Sequence, residues 1–95
     1  LISFTKSLAQ QIAKDNIRVN SICPGGILFP GGVWERRIAD APDNLQGYID
    51  SDFPLGRFGR PEEVSAAATL MVSPRASLVH GACWTVDGCQ SRSNI

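Results

Sequence analysis

The distribution of glycine and proline is the feature that most constrains the fold of this chain. The first 23 residues contain neither, whereas the segment from Pro24 to Pro61 holds most of both. Because these two residues interrupt helices and strands and mark turns, regular structure is expected before Pro24. A segment too long to be a simple connector is expected after it, carrying short elements of its own.

Apolar residues before Pro24 recur at helical spacing, at Leu1, Phe4, Leu8 and Ile12. This spacing predicts an amphipathic helix over residues 1–15, with Asp15-Asn16 as its end. No capping residue precedes Leu1, so we expect the chain to begin inside a longer helix.

The remaining helices and strands are predicted from the composition of each segment and from the prolines and glycines that bound it. The β-branched segment 17–23 predicts a strand that ends at Pro24-Gly25, and residues 24–56 predict a loop and lid with short helices at 34–40 and 44–52. Arg60-Pro61-Glu62-Glu63 has the composition of a helix start, which predicts a helix over 61–72. Residues 82–87 predict the last strand. The order favours one α/β unit with two parallel strands joined by a right-handed crossover, with an exposed edge and a half-covered apolar face.

Charge and hydropathy exclude several classes of partner. Nine acidic residues balance nine Lys plus Arg, and the basic residues are scattered, so no patch for nucleic acid or an anionic membrane is expected. No apolar run reaches the roughly 18 to 20 residues that span a bilayer. We expect a soluble protein.

Cys23, Cys83 and Cys89 form an odd set with no C-x-x-C pair. This pattern favours free thiols in a reducing compartment, hence a cytoplasmic protein. His80 with Cys83 and Cys89 could supply three zinc ligands, but a fourth is missing and the spacing matches no usual zinc module. We therefore expect small buried thiols, an ordinary histidine and no metal site.

Four segments in series carry a family resemblance: Phe4-Thr5-Lys6-Ser7-Leu8-Ala9, Asn16 through Pro24-Gly25, Pro54 through Val64, and Gly81 through Val86-Asp87-Gly88. Together they resemble the C-terminal part of a short-chain dehydrogenase/reductase. The resemblance implies the last two strands, the lid helices and the crossover helix of a Rossmann-type doubly wound parallel sheet.

The resemblance implies a parent that moves a hydride between NAD or NADP and a carbonyl or secondary alcohol. The family's catalytic serine, its Tyr-x-x-x-Lys pair and its glycine-rich loop are absent from this chain, since Asp52 stands four residues after Tyr48, the sole tyrosine. We therefore expect the 95 residues alone to be inactive. The alternative is a non-catalytic fragment or interaction module that associates through its exposed sheet edge.

The resemblance also implies a partial cofactor site at Pro24, Gly25, Gly26, Ile27 and Phe29, where main-chain groups of Ile27 would bind the nicotinamide carboxamide. Glycine would let the backbone approach the flat ring. Taken without the family, Pro24-Gly25 is an ordinary turn. Phe29 stands where many relatives have a threonine that bonds the cofactor, and Cys89 stands where they often have a second glycine.

The lid implies a substrate pocket with Trp34, Tyr48 and Phe53 as candidate aromatics. Arg36 and Arg37 would be available to an anionic substrate. The alternative is that the aromatics form the core of the lid and the arginines a solvated face. Arg57 and Arg60 are expected to tie down the turn before Pro61. The family also implies a homotetramer, in which helix 61–72 and Trp84 would meet their copies.

Overall fold

The computed structural model describes residues 1–92, and within that range two parallel strands lie side by side. Ser21 is opposite Cys83 and Pro24 is opposite Val86. The expected α/β class with parallel strands is confirmed. The elements are α1 (Ile2–Ile12), β1 (Ser21–Pro24), α2 (Val33–Asp40), α3 (Leu45–Asp52), α4 (Pro61–Val72) and β2 (Cys83–Val86), with 3₁₀ turns at Ala13–Asp15, Pro42–Asn44 and Pro74–Ala76.

The first strand begins at Ser21, four residues later than the predicted start at Ile17. The N–H of Val19 donates to Nδ1 of His80 over 3.1 Å instead of to a neighbouring strand. Gly81, on the facing segment, has φ +71°, which regular strands do not adopt. The regular ladder therefore starts only after these residues. The last strand is also shorter than the predicted 82–87.

The helices agree more closely with the sequence. α4 has the predicted bounds. α1 is continued by its 3₁₀ turn to Asp15, and Asn16 ends it in the left-handed conformation with φ 59°, a conformation that asparagine tolerates better than most residues. The two short helices, α2 and α3, each differ from the prediction by one residue at the start.

Arg18 connects the segment before β1 to the end of α4. Its guanidinium donates to the carbonyls of Met71 over 2.6 Å, Ser73 over 3.1 Å and Val79 over 3.2 Å. Asn20 donates a further bond to the Val79 carbonyl over 2.9 Å. Carbonyls at a helix C-terminus lack intrahelical partners. These bonds satisfy them and fix α4 relative to β1.

The described core is small, and the chain is elongated. Its radius of gyration is 16.2 Å, against about 12 Å for a compact domain of this length. Large apolar side chains remain at the surface, with Val72 78% and Leu78 96% exposed. These exposed side chains lie at the end of α4 and in the segment that follows it. Among residues 1–92 no helix combines the length and the apolarity needed to cross a bilayer. The buried apolar residues are Ala9, Phe53, Met71 and Ala76.

Candidate functional site

A groove of about 670 Å³ opens beyond the carboxyl end of β1, between the loop that follows Pro24 and the first turns of α4. We call it the strand-end groove. Ligands of open α/β sheets bind in this position, outside the carboxyl ends of parallel strands. The groove is lined by Pro24, Gly25, Ile27, Phe29, Val33, Trp34, Pro61, Val64, Ser65 and Ala68.

The structure brings together four of the five residues assigned to the cofactor from sequence. Pro24, Gly25, Ile27 and Phe29 all line the strand-end groove. Gly26 faces elsewhere, because its N–H donates to Oε1 of Gln90 over 2.7 Å. The sequence assignment therefore describes one continuous surface with one residue turned away from it.

Ile27 has the backbone geometry that matters most for binding. It forms an isolated parallel bridge with Gly59, in which Gly59 donates to the Gly26 carbonyl over 2.9 Å and accepts from Leu28 N–H over 3.0 Å. In a parallel bridge of this kind, the N–H and C=O of the central residue point away from the partner. Within the described part of the chain, neither group of Ile27 has a hydrogen-bond partner. A donor and an acceptor are thus free on one residue of the groove.

Glycine at positions 25 and 26 is required by close packing within the protein. A Cβ on Gly25 would lie 2.8 Å from the backbone Cα of Asp87, and a Cβ on Gly26 would lie 2.6 Å from Cζ of Phe53. The missing side chains make room for these neighbouring protein atoms. Gly25 and Gly26 therefore fix where the loop sits against the turn after β2 and against the lid.

The turn after β2 holds the other side of this loop. The Asp87 carboxylate accepts from the N–H of Cys89 over 3.0 Å and from that of Ser91 over 2.8 Å. Gly88 and Cys89 both have positive φ, 59° and 68°. A left-handed conformation favours glycine, which explains physically why glycine suits position 89. Cys89 occupies it at a conformational cost.

Four aromatic rings form one cluster under the lid. Trp34 is at its centre, with ring centroids 5.5 Å from Tyr48, 5.4 Å from Phe53 and 5.1 Å from Phe58. Phe53 is only 6% exposed, whereas Trp34 also lines the groove. The three predicted aromatics are therefore neighbours, and Phe58 is a fourth member that the sequence did not single out.

The cationic side chains of this region act mainly within the protein. The Arg37 guanidinium stacks 4.9 Å from the centre of the Trp34 ring, so it covers the cluster. The Arg57 guanidinium pairs with both carboxylate oxygens of Glu63 over 2.8 and 3.0 Å. The expectation that Arg57 ties down the turn before Pro61 is confirmed.

Glu63 is the best-supported carboxylate at the start of α4. It accepts from the Arg57 guanidinium and from the Arg60 backbone N–H, the latter over 3.0 Å. These two bonds lower the pKa of Glu63 to about 2. The carboxylate therefore stays charged at the positive end of the helix, where it stabilises the first turn.

His80 has a structural role that uses both ring nitrogens. Nδ1 accepts from Val19, and Nε2 lies 2.6 Å from the Ala9 carbonyl. Cys83 is directed instead to Cys23, with 3.1 Å between the sulfurs, and Cys89 is exposed. The three candidate zinc ligands therefore have other hydrogen-bond partners or lie at the surface. Within residues 1–92, no group of three or more His, Cys, Asp or Glu side chains is placed to hold a metal ion.

The sequence did not predict two features of the groove region, namely its wall on α4 and the contact of Gln90 with Gly26. Ser65 and Ala68 of α4 form the wall opposite Ile27, and their only sequence signal is that small residues recur on one helix face. Gln90, which binds Gly26, is 64 residues away in the chain. No local pattern could have indicated that contact.

The comparisons with known proteins agree on one family. A family model described as enoyl-(acyl carrier protein) reductase matches residues 1–90. Cyclopentanol dehydrogenase of a Comamonas species is 44% identical over 85 residues, which are 90% of this chain and 32% of that protein. The chain thus spans about a third of the length of such curated relatives.

Solved structures show the same fold. L-sorbose reductase from Gluconobacter frateurii, complexed with NADPH and L-sorbose, superposes with a TM-score of 0.84 at 35% identity, covering 98% of this chain and 38% of that one. 4-Hydroxyisoleucine dehydrogenase complexed with NADH superposes with a TM-score of 0.77 at 28% identity, covering 98% and 35%.

Proposed function

The chain belongs to the short-chain dehydrogenase/reductase family, and from this premise we propose that it is part of an NAD(P)-dependent oxidoreductase. The reaction is hydride transfer between the nicotinamide and a carbonyl or secondary alcohol. The similar proteins named above support this proposal, since one is a cyclopentanol dehydrogenase and another is a reductase with NADPH and L-sorbose bound. The chain itself supplies the nicotinamide end of the site.

The observation that carries the proposal is the free main-chain pair on Ile27. A carboxamide presents one NH₂ donor and one carbonyl acceptor, which match the C=O and N–H of a single extended residue. Both groups of Ile27 point away from Gly59, and Ile27 lines the groove. These features fit a nicotinamide carboxamide.

The rest of the groove suits the face of a flat ring. Its lining is mostly apolar, with Pro24 and Phe29 on the loop and Val64 and Ala68 on α4. Phe29 has no hydroxyl, so it contributes ring packing in place of the threonine bond of many relatives. When bound, the nicotinamide would supply the hydride to a carbonyl or accept it from a secondary alcohol. The residues of this chain orient it and keep water from one side.

The chemistry also needs residues that this chain does not contain. The serine and the Tyr-x-x-x-Lys pair implied by the family are absent from the 95 residues, and the chain spans 32% of the cyclopentanol dehydrogenase. We infer that the whole protein supplies them, together with the glycine-rich loop that binds the pyrophosphate. The 95 residues alone are then inactive.

The substrate is placed by the lid. Trp34 lines the groove, and Tyr48 and Phe53 pack against it. Of these aromatics, we assign Trp34 to direct contact with a small alcohol or carbonyl substrate and the other two to its support. The Arg37 guanidinium stacks on the Trp34 ring and would place a positive charge beside that substrate contact.

Assembly and location follow from the same family. We propose a cytoplasmic homotetramer in which α4 and Trp84 meet their copies. The exposed apolar side chains Leu70, Val72 and Leu78 on and after α4 support this interface. Light scattering on the full-length protein tests it, and a strictly monomeric mass would contradict it.

Oxidation of reduced cofactor by the full-length protein tests the activity directly. The substrates are a panel of small ketones and sugars, with NADH and NADPH tried separately. We expect turnover with at least one pair and none from residues 1–95 expressed alone. Cofactor binding without turnover on any substrate would instead support the non-catalytic alternative. Absence of cofactor binding would contradict the proposed function altogether.

A further inference from the structure

Cys23 and Cys83 form a pair of thiols on adjacent strands. Ser21 is opposite Cys83 and Cys23 is opposite Thr85, so the two cysteines are diagonal neighbours on the same face of the sheet. Their sulfur atoms are 3.1 Å apart. A disulfide bond measures about 2.05 Å, so the sulfurs need to approach by about 1 Å to form one. The two strands also need to shift, because diagonal neighbours lie about 7 to 8 Å apart and a disulfide usually joins Cα atoms about 4.4 to 6.8 Å apart.

Within the described residues, both thiols border open space. Each is half-buried, and both line an open cavity of about 530 Å³ on the α1 side of the sheet, together with Ile2, Lys6 and Pro24. This cavity is separate from the strand-end groove, because Pro24 is the one described residue that lines both. A reagent in the cavity therefore reaches the sulfurs without entering the proposed cofactor site.

The two thiols are not equivalent. The hydrogen bond between them lowers the pKa of Cys83 and raises the pKa of Cys23. Because the thiolate is the nucleophile in thiol–disulfide exchange, Cys83 is the residue that reacts first. Cys23, which holds its proton longer, is placed to react second.

We propose that Cys23 and Cys83 form a reversible thiol–disulfide modification site whose oxidant is a small-molecule disulfide of the glutathione class. The Cys83 thiolate attacks one sulfur of oxidised glutathione and releases one glutathione thiolate. Cys23 then gives up its proton and attacks Sγ of Cys83, which releases the second glutathione. Two electrons pass from the protein to the reagent, and two molecules of reduced glutathione are formed.

The bond would join β1 to β2 immediately before Pro24, where the loop to the strand-end groove begins. It closes a loop between residues 60 positions apart, and a closed loop of that length restricts the unfolded chain. The oxidised protein is therefore expected to melt at a higher temperature than the reduced protein. This inference does not depend on the proposed function.

Peptide mass spectrometry of the natural full-length protein, oxidised in its native state with oxidised glutathione, tests the site. Trypsin places Cys23 in the peptide 19–36, but Cys83 and Cys89 share the peptide 76–92. The experiment therefore uses a Cys89→Ser background, in which a link between these two peptides can only join Cys23 to Cys83. We expect most molecules to carry this link and dithiothreitol to remove it.

Two single variants in the same background separate the steps. In Cys23→Ser, we expect Cys83 to retain glutathione as a stable mixed disulfide, because no second thiol can displace it. In Cys83→Ser, we expect Cys23 likewise to retain glutathione, because the second thiol is missing there too. Equal circular dichroism of the reduced variants checks that each is folded.

Three results would overturn the proposal. The first is that both thiols of the native protein remain available to alkylation after oxidation. The second is that glutathione stays on Cys83 while Cys23 is present. The third is that the link forms only in denaturant.

Discussion

The loop at Gly25 packs closely against a backbone atom, whereas the lid between Val33 and Phe58 packs through aromatic rings. At Gly25 the neighbour is the main chain of Asp87, which cannot rotate away. In the lid, Trp34 contacts three rings at centroid distances of 5.1 to 5.5 Å, and rings adapt by tilting. The position of the loop therefore depends on the absence of a side chain at Gly25. The position of the lid depends on the apolar area that its aromatic side chains bury together.

This difference bears on function. Hydrogen bonds to the backbone of Ile27 need a fixed main chain, which close backbone packing provides. A substrate pocket tolerates more variation, since apolar contacts depend little on direction. The backbone at the proposed cofactor site can therefore stay fixed while the side chains of the lid vary. Substitutions at Phe53 and Gly25 separate the two kinds of packing, and substitutions at Cys89 and Glu63 test the turn after β2 and the start of α4.

Phe53→Ala removes the side chain that the two regions share. Phe53 is 6% exposed, fills the space beside Gly26 and contacts Trp34 and Phe58. We expect a loss of about 3 to 4 kcal/mol in the free energy of unfolding, because a large buried ring leaves a cavity. Denaturant unfolding measures it. Phe53→Leu, which keeps most of the volume, should cost less than half as much. Equal losses for both variants would contradict a packing role.

Gly25→Ala tests the backbone contact with a single added carbon. The new Cβ would lie 2.5 Å from Cβ of Asp87 and 2.8 Å from its Cα, so we expect a loss of about 2 to 3 kcal/mol from overpacking. Gly47→Ala is the matched control. Gly47 lies in α3 with nothing within 4 Å of its Cβ position, so that change should stabilise by about 0.5 to 1 kcal/mol. If Gly25→Ala were neutral, the loop would not be held by close approach.

Cys89→Gly tests the strain in the turn after β2. Cys89 has φ 68°, a left-handed conformation that costs a residue with a side chain about 1 kcal/mol. We expect a gain approaching that amount, reduced by the greater freedom of glycine in the unfolded chain. Thermal unfolding compares it with Cys89→Ser, which keeps the strain and should be neutral. A loss of stability in the glycine variant would show that the cysteine side chain makes a contact of its own.

Glu63→Gln has the smallest expected effect and depends on pH. The pKa of Glu63 is lowered from 4.5 to about 2, so its charged form stabilises the folded state above about pH 4.5. That contribution is lost as the pH falls from about 4.5 through about 2. We expect the difference in melting temperature between wild type and variant to shrink across this window. Glu62→Gln, in the same first turn, should show a weaker change there, and an equal change would contradict the assignment to the Arg57 pair.

The sequence predicted elements well wherever local chemistry decides them. Pro61 and the following glutamates predicted the start of α4, and Asn16 predicted the end of the first helical segment, because caps act over a few residues. The strand start was wrong because His80, 61 residues away, takes the N–H of Val19. A contact of that separation leaves no trace in the local pattern.

The sequence predicted which residues belong to the site better than it predicted how they are arranged. The family resemblance identified Pro24, Gly25, Ile27 and Phe29, which share the groove. It did not indicate that Gly26 is bound by Gln90 or that the glycines accommodate Asp87 and Phe53. The composition of its first turn predicted α4 without showing that Ser65 and Ala68 line the groove. These features depend on how elements distant in the chain meet.

The central claim is that the main-chain groups of Ile27 bind the carboxamide of a nicotinamide. The most direct test is the ratio of two dissociation constants on the full-length protein, one for the natural cofactor and one for its acetylpyridine analogue. In the analogue a methyl ketone replaces the carboxamide, so the donor to the Ile27 C=O is lost while the acceptor for its N–H is kept. An unsatisfied carbonyl costs about 1 to 3 kcal/mol, so we expect the analogue to bind roughly 5- to 150-fold more weakly. Equal affinities would contradict the account.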